Sequence, residues 1–331
     1  MAFQDIKGQD RAIEFFRSAV NNDKLAHAYL FSGAPGLGKT LLARNLAKFL
    51  NCESPLKNKK LTVDCCEQCS SCRKISEFSH PDVHWIEGKG KSQKISIDEM
   101  RLAQKEISLK SYAGKYKIFI IQQAHNMTQE AANSLLKTLE EPPSASLMIL
   151  TSSNISGLLP TIISRCQLVK FFPLHPEGLK QILTADYGLT PSDAHFLSAQ
   201  AQGRLGEALD LKDQDVLSKK NRLFERISQY DSRTTSSDIF SVKDKKELAA
   251  QLKLLLHWFR DILVFKAGLS TAKIINLDML NRIKTQAAIL SFQEIEQIIN
   301  KIIAAHRLIE QNVNPKIALE VMLLAVTKCK K

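Results

Sequence analysis

The glycine-rich segment GAPGLGKT at residues 33–40 has the residue types and the spacing of a phosphate-binding loop. Its glycines let backbone N–H groups turn inward around phosphate oxygens, Lys39 reaches the β- and γ-phosphates, and Thr40 offers its hydroxyl to Mg2+. The apolar run AYLF precedes the loop and a helical stretch follows it, which is the context that this motif requires. The candidate nucleotide-binding residues are Gly33, Gly36, Gly38, Lys39 and Thr40. We therefore expect ATP or ADP with Mg2+ as a ligand of the loop.

A second strand-like run, KIFIIQ at residues 117–122, carries amides where acids are expected. In many phosphate-loop enzymes a carboxylate at the end of a neighbouring strand holds Mg2+, and the next acid polarises the attacking water. Gln122 and Gln123 stand at this position, and a neutral amide offers a hard cation one carbonyl oxygen and no charge. The sequence therefore predicts that the chain alone has negligible ATPase activity even if it binds nucleotide.

Four of the seven cysteines crowd into eight residues, and three of them, Cys66, Cys69 and Cys72, have C-x2-C-x2-C spacing. Clustered, reduced thiols in a large chain without a secretory leader favour a metal site over disulfides. Four thiolates are sufficient for a tetrahedral, structural zinc site. We assign Cys52 as the fourth ligand. Cys65 is the alternative, although adjacent residues usually point in different directions.

Arg165 lies in the segment TIISRC, just before the last strand-like run. An arginine at this place can reach the γ-phosphate bound to a neighbouring subunit and act as a trans arginine finger. A surface salt bridge is the plainer alternative, and the residues alone leave both roles open.

The overall composition is that of an ordinary globular protein. The 331 residues are 44% hydrophobic and 24% charged, and a chain of this length is expected to form two or three domains. The formal charge of +12 favours polyanionic partners such as nucleic acid, nucleotide or an acidic protein, or else reflects a solvated basic surface. We find no apolar run of membrane-spanning length and no leader at the start, so we expect a cytoplasmic protein.

Short apolar runs alternate with helical stretches up to about residue 172, and only helical patterns follow. Continuous apolar runs are typical of strands that are buried on both faces of a parallel sheet, so the pattern predicts a doubly wound α/β domain. The predicted strands are 28–32, 83–87, 117–122, 147–152 and 167–172. The polar stretch 230–238 is expected to be a loop inside the helical part.

Taken together and in this order, these segments resemble the bacterial clamp-loader AAA+ proteins, and among them most closely the delta-prime subunit family of DNA polymerase III. The resemblance rests on HAYLFSGAPGLGKT, the clustered cysteines, SHPDVHWIE, ISIDEMR, AANSLLKTLEEPP and SRC. It covers the first 210 or so residues well. The helical remainder resembles the family's collar domain more weakly. The segment that resembles it best is NPKIALEVMLL.

The resemblance implies an AAA+ P-loop domain at 1–172 with a zinc module near 52–72, a small helical lid at 173–212, and an all-α collar (oligomerisation) domain at 213–331. It implies a stationary subunit that works beside tau/gamma and delta subunits in a hetero-pentameric ring, which loads the sliding clamp onto primed DNA. It also implies that Arg165 serves the ATP site of an adjacent motor subunit.

Three alternative functions remain on the sequence alone. An ATP-hydrolysing tau/gamma-type motor of the same complex would carry acids at 122 and 123, and its second-sensor arginine would fall on Gly206, with Arg204 offset by two residues. A freestanding P-loop ATPase or kinase would also need an acid near 122. A nucleic-acid-binding zinc protein would need aromatic or basic residues clustered around the cysteines, and CCEQCSSCRK offers few.

Overall fold

A computed structural model of the chain describes residues 2–58, 61–90, 92–229, 239–240, 244–311 and 313–328. The chain divides into two compact units. One unit comprises Met1–Leu174 with the short segment Arg204–Glu207, and the other comprises His175–Gly203 and Ala208–Lys331. The predicted loop 230–238 lies outside the described residues.

The first unit is built on a five-stranded parallel sheet, in which the strands lie in the order 83–86, 117–121, 146–152, 28–32 and 167–170. The strands are β1 Ala28–Ser32, β4 Val83–Ile86, β5 Lys117–Ile121, β6 Ser146–Ser152 and β7 Gln167–Lys170. At the carboxyl end of β1, Ser32 pairs with Ser152 on one side and with Lys170 on the other. The predicted α/β fold is thus confirmed, and each predicted strand is found within two residues of its expected ends.

The sheet is buried on both faces, since its three central strands are buried at every position and are apolar except at their ends. In β1, Tyr29 and Phe31 enter one hydrophobic core, whereas Ala28 and Leu30 enter the other. The first core is covered by helices α1 Asp10–Asn21 and α2 Lys39–Asn51, and the second by α4 Ile97–Ile107, α5 Gln129–Glu140 and α6 Pro160–Ile163. This alternation explains why the strands show continuous apolar runs in the sequence.

A small module that the sequence did not predict as regular structure follows α2. It consists of the antiparallel strands β2 Leu56–Asn58 and β3 Leu61–Asp64 and the short helix α3 Ser70–Ser76. Side chains of α1 hold the hairpin, because Asn21 exchanges two 2.9 Å hydrogen bonds with the backbone of Thr62 and Arg17 donates to the carbonyl of Val63. Strand β2 is exposed at all three positions, so no apolar alternation marks it in the sequence.

Asp82 fixes the loop that leads into β5. Its buried carboxylate accepts hydrogen bonds from the backbone N–H groups of Tyr112, Ala113 and Gly114, each at 2.7 Å. Burial opposes ionisation of Asp82, but these N–H groups outweigh it and lower the pKa of the carboxyl. A charged side chain therefore satisfies three backbone donors of a loop that has no helix or strand of its own.

The described residues after Leu174 form helices and contain no strand, as expected. Besides α9 Leu205–Asp213, these helices are α7 Pro176–Tyr187, α8 Pro191–Ala201, α10 Val216–Gln229, α11 Lys245–Lys266, α12 Leu280–Ile289, α13 Phe292–Glu310 and α14 Pro315–Lys328. A capping box starts α13, since Ser291 accepts from the N–H of Glu294 and the Glu294 carboxylate accepts from the N–H of Ser291. The division into a lid and a collar at residue 212 stays a prediction. Of the helices in the described ranges, none is both long and apolar enough to cross a membrane.

Candidate phosphate-binding loop and metal centre

The glycine-rich loop connects β1 to α2 and takes backbone conformations that only glycine adopts readily. Gly36 and Gly38 have φ values of 78° and 85°, in the left-handed region. A Cβ on Gly33 would lie 2.7 Å from the carbonyl oxygen of Phe171, whereas a Cβ on Gly38 would meet nothing within 4 Å. The loop is thus tightly packed at its start and open beside Gly38, at the N-terminus of the thirteen-residue helix α2.

Lys39 is held against the loop that precedes it. Its Nζ donates to the carbonyl oxygens of Gly33 at 2.5 Å and of Ala34 at 2.7 Å. Burial lowers the pKa of Lys39 to about 8, and no carboxylate among the described residues counteracts that shift. Thr40, the other predicted phosphate-site side chain, is half-buried in the first turn of α2. An anion beside Gly38 would therefore meet a cation that has no acidic partner.

The ends of β5 and β6 bring neutral groups to the same edge of the sheet. Gln123 has a left-handed backbone with φ 47°, and its N–H donates to Thr151 Oγ1 at 3.1 Å. His125 Nδ1 lies 3.1 Å from Ser152 Oγ, and burial together with the charge of Lys39 lowers the pKa of His125. Sequence reasoning did not select His125 or Ser152. The polar run QQAHN directly after a buried strand is the signal that points to this edge.

The segment Arg204–Glu207 packs against the phosphate-binding loop within the first unit. The backbone N–H of Gly206 donates to the carbonyl oxygen of Gly36 at 2.9 Å. A Cβ on Gly206 would lie 3.0 Å from both the Cα and the carbonyl oxygen of Gly36, so the contact depends on two facing glycines. Arg204 forms a 3.3 Å ion pair with Glu207. An arginine side chain at position 206 would disrupt this contact.

The four predicted zinc ligands come together in the module after α2. The Sγ atoms of Cys52, Cys66, Cys69 and Cys72 all lie within 4.8 Å of one another, and those of Cys52 and Cys69 are 4.0 Å apart. Thiolates about 2.3 Å from a tetrahedral Zn2+ would be about 3.8 Å apart. The thiols are therefore close to the arrangement that zinc requires, and the donor set fits this metal.

Backbone N–H groups point at three of these sulfur atoms. Cys66 donates to Cys52 Sγ and Cys69 donates to Cys66 Sγ at 3.3 Å each, and Cys72 donates to Cys69 Sγ at 3.4 Å. Burial raises the pKa of Cys52. Burial also opposes ionisation of Cys66, but the N–H groups of Gln68 and Cys69 outweigh it and lower the pKa of that thiol to about 7. The backbone around Cys66 thus makes its thiolate easier to form than that of an ordinary cysteine.

Cys65 is hydrogen-bonded to one of the four predicted ligands, Cys72, and it also contacts an acid. It is buried, and its Sγ donates to Glu67 Oε1 at 3.3 Å. The Glu67 carboxylate also accepts from Nζ of the buried Lys48, at 2.9 and 3.2 Å. This geometry favours Cys52 over Cys65 as the fourth ligand, and the assignment stays a prediction.

Arg165 follows α6 and forms an ion pair at the surface. Its Nη2 lies 2.7 Å from Oε1 of Glu140, the last residue of α5, and its Nη1 donates to the carbonyl of Thr161 at 3.0 Å. The side chains of Arg165 and Glu140 are 35% and 51% exposed. The salt bridge considered from the residues alone is present in the isolated chain, and it leaves the guanidinium at the protein surface.

Comparison with known proteins identifies the family. Residues 8–175 match the family described as DNA polymerase III, delta subunit, and residues 214–328 match its C-terminal family, DNA polymerase III, delta subunit, C terminal. The chain is 31% identical to DNA polymerase III subunit delta' of Bacillus subtilis, over 96% of this chain and 95% of that protein. It is 26% identical to the tau subunit of the same organism, over 98% of this chain but only 61% of the relative.

Among solved structures, a DNA polymerase III gamma subunit-related protein from Thermotoga maritima aligns with 96% of this chain and 99% of its own. The TM-score is 0.43 and the sequence identity 19%.

Proposed function

The chain belongs to the clamp-loader family of DNA polymerase III subunits, and we propose that within this family it is a stationary, non-hydrolysing subunit of the delta-prime type. The observation that carries the proposal is the pair of amides, Gln122 and Gln123, that follows β5 behind an intact phosphate-binding loop. Turnover needs carboxylates at this place to hold Mg2+ and to polarise water. The subunit therefore helps to load the sliding clamp onto primed DNA while a neighbouring subunit hydrolyses ATP.

Arg165 is the residue through which this chain takes part in that hydrolysis. A guanidinium at the γ-phosphate of a neighbour neutralises charge that builds up in the transition state. Support comes from the position of Arg165 at the surface and from its half-exposed partner Glu140, because exposed ion pairs are weak and open readily. In the complex Arg165 would leave Glu140 and bind the phosphate of an adjacent tau/gamma-type subunit.

Assembly into the hetero-pentameric ring with tau/gamma and delta subunits is assigned to the helical collar at 213–331. Helix α14 supports this assignment because it is apolar on two sides. Ala318 and Leu319 lie on its buried side, whereas Ile317, Val321 and Leu324 are 61%, 51% and 60% exposed. Exposed apolar residues at positions i, i+4 and i+7 form a stripe that suits packing against another helix. The lid at 173–212 is part of the same proposal.

The cysteine module has a structural role in this proposal. Zn2+ held by Cys52, Cys66, Cys69 and Cys72 would cross-link the C-terminus of α2 to helix α3. Structural zinc sites of this kind contribute directly to folding stability. The metal has no part in ATP chemistry, because four protein thiolates leave no open coordination position for substrate.

Reconstitution tests the proposed function. The full chain is mixed with candidate tau/gamma and delta subunits, and ATP hydrolysis and clamp loading are measured with and without it. The chain alone should be inactive and should stimulate both activities of the complex. Turnover by the chain alone that depends on Lys39 would instead show a motor of the tau/gamma type.

A further inference from the structure

The phosphate-binding loop offers a complete set of groups to an anion and an incomplete set to a metal ion. From this contrast we infer that the loop binds the phosphates of a nucleoside diphosphate or triphosphate without a divalent cation. The inference rests on the proposed function, since a subunit that does not hydrolyse ATP does not use the metal on which hydrolysis depends.

The space beside Gly38 is open and suits an anion. Nothing lies within 4 Å of a Cβ built there, and the N-terminus of the long helix α2 directs its free backbone N–H groups to this region. The half-buried Lys39 donates from Nζ to the neutral carbonyl oxygens of Gly33 and Ala34. A polyphosphate would supply the negative charge that Lys39 lacks in the isolated chain.

The groups across from the loop also suit a phosphate better than a cation. His125 and Ser152 form a hydrogen-bonded pair of uncharged groups, in which the Ser152 hydroxyl donates to the carbonyl oxygen of Asn154 at 2.8 Å. The positive charge of Lys39 adds to burial in lowering the pKa of His125. The positive potential at this edge is therefore not balanced by His125 or Ser152 and is available to an anion.

The loop and its surroundings offer Mg2+ too few oxygen ligands. Mg2+ in phosphate-loop sites relies on a hydroxyl and a carboxylate from the protein in addition to the phosphates. Thr40 supplies the hydroxyl, but Gln122 and Gln123 supply only amides. The acid that does pack beside the loop is Glu207, and its carboxylate is bonded to Arg204 at 3.3 Å. These residues do not fit Mg2+.

From these residues we predict whether magnesium strengthens or weakens the binding of nucleotide. Mg2+ in solution binds the same phosphate oxygens that the loop would bind, and it gains no protein carboxylate on entering the site. Magnesium and the protein then compete for the nucleotide, whereas in a site with the carboxylate they bind it together. Added magnesium should weaken binding or leave it unchanged, and should not strengthen it.

Calorimetric titration of the full chain with ADP, in excess EDTA and in excess magnesium, tests the inference. We expect ADP to bind in EDTA at least as tightly as in magnesium. Where competition is complete, the apparent dissociation constant should rise in proportion to the concentration of excess magnesium. Binding that becomes about tenfold tighter with magnesium overturns the inference, and so does an absence of heat in both media. Titration with magnesium alone should show no specific site.

Three variants make the test specific. Lys39→Ala should abolish ADP binding in both media. Gln122→Asp should reverse the effect of magnesium on ADP affinity, so that magnesium now tightens binding. If magnesium still does not tighten binding in this variant, the role given to position 122 is wrong. Glu207→Gln, the matched control, should leave the magnesium response as it is in the unaltered chain. ATP turnover by the unaltered chain would refute the proposed function, whereas magnesium-dependent ADP binding without turnover would refute only this inference.

Discussion

Replacement of Arg165 by alanine distinguishes a surface ion pair from a trans arginine finger, because the two roles predict effects of different magnitude. As one half of a surface ion pair with Glu140, with side chains 35% and 51% exposed, Arg165 contributes about 0.2–1 kcal/mol to the free energy of unfolding. As the proposed trans finger it would contribute a factor of roughly 10^3–10^5 in rate at the neighbouring ATP site, which corresponds to about 4–7 kcal/mol of transition-state stabilisation. The two roles therefore differ by several kcal/mol and act on different measurements.

We expect Arg165→Ala to leave folding, zinc content and ring assembly unchanged and to reduce clamp-stimulated ATPase and clamp loading of the reconstituted complex. The loss should be partial, because only the ATP site next to this subunit loses its finger. Arg165→Lys should not restore full activity, since an ammonium lacks the planar, bidentate geometry of guanidinium.

Glu140→Gln is the matched variant, because it breaks the same ion pair and keeps the arginine. Breaking a pair of at most about 1 kcal/mol shifts the equilibrium toward the free guanidinium by up to about fivefold, so this complex should load clamps at least as fast as the unaltered one. Normal clamp loading by Arg165→Ala, or equal defects in both variants, would assign Arg165 to the ion pair alone.

Three further predictions concern the chain by itself. Protein purified without chelator should hold about one zinc per chain by elemental analysis, and Cys66→Ser should lower the metal content more than Cys65→Ser; a metal-free, fully folded protein would contradict this. A steady-state assay should detect negligible ATP hydrolysis, and Lys39→Ala should not change that result. Asp82→Asn should lower the free energy of unfolding in urea by roughly 2–4 kcal/mol, because three backbone donors lose a charged acceptor. The folded-state pKa of Asp82 is depressed, so its contribution is present above the usual aspartate pKa and is lost as the pH falls through the folded value. A cost that stays the same down to low pH would show that the charge is not what matters.

The sheet could be predicted from the sequence because its central strands are buried on both faces, and such strands show a continuous apolar run. Strands β2 and β3 could not be predicted in this way. Polar contacts hold them in place, and these come from Asn21 and Arg17, which are distant in sequence. The cysteine spacing predicted three ligands. Cys52 was assigned as the fourth from the sequence, and its sulfur lies within 4.8 Å of the other three, but the choice of Cys52 over Cys65 stays a prediction. A pattern that is repeated along the chain is visible in the sequence, but a single long-range hydrogen bond is not.

The packing of the loop explains how its glycines can be required in a chain that lacks the catalytic acids. A Cβ on Gly33 would lie 2.7 Å from the carbonyl oxygen of Phe171, and a Cβ on Gly36 would lie 2.9 Å from the backbone N of Glu207. Neither glycine therefore has room for a side chain. The N–H of Gly206 donates to the carbonyl of Gly36, so the loop is hydrogen-bonded to a segment that lies 170 residues later in the sequence, at position 206 against position 36. These contacts stabilise the first unit whether or not nucleotide is hydrolysed. An intact glycine-rich loop is therefore evidence for this packing and for a phosphate site, and evidence for hydrolysis has to come from the residues after β5, where Gln122 and Gln123 stand.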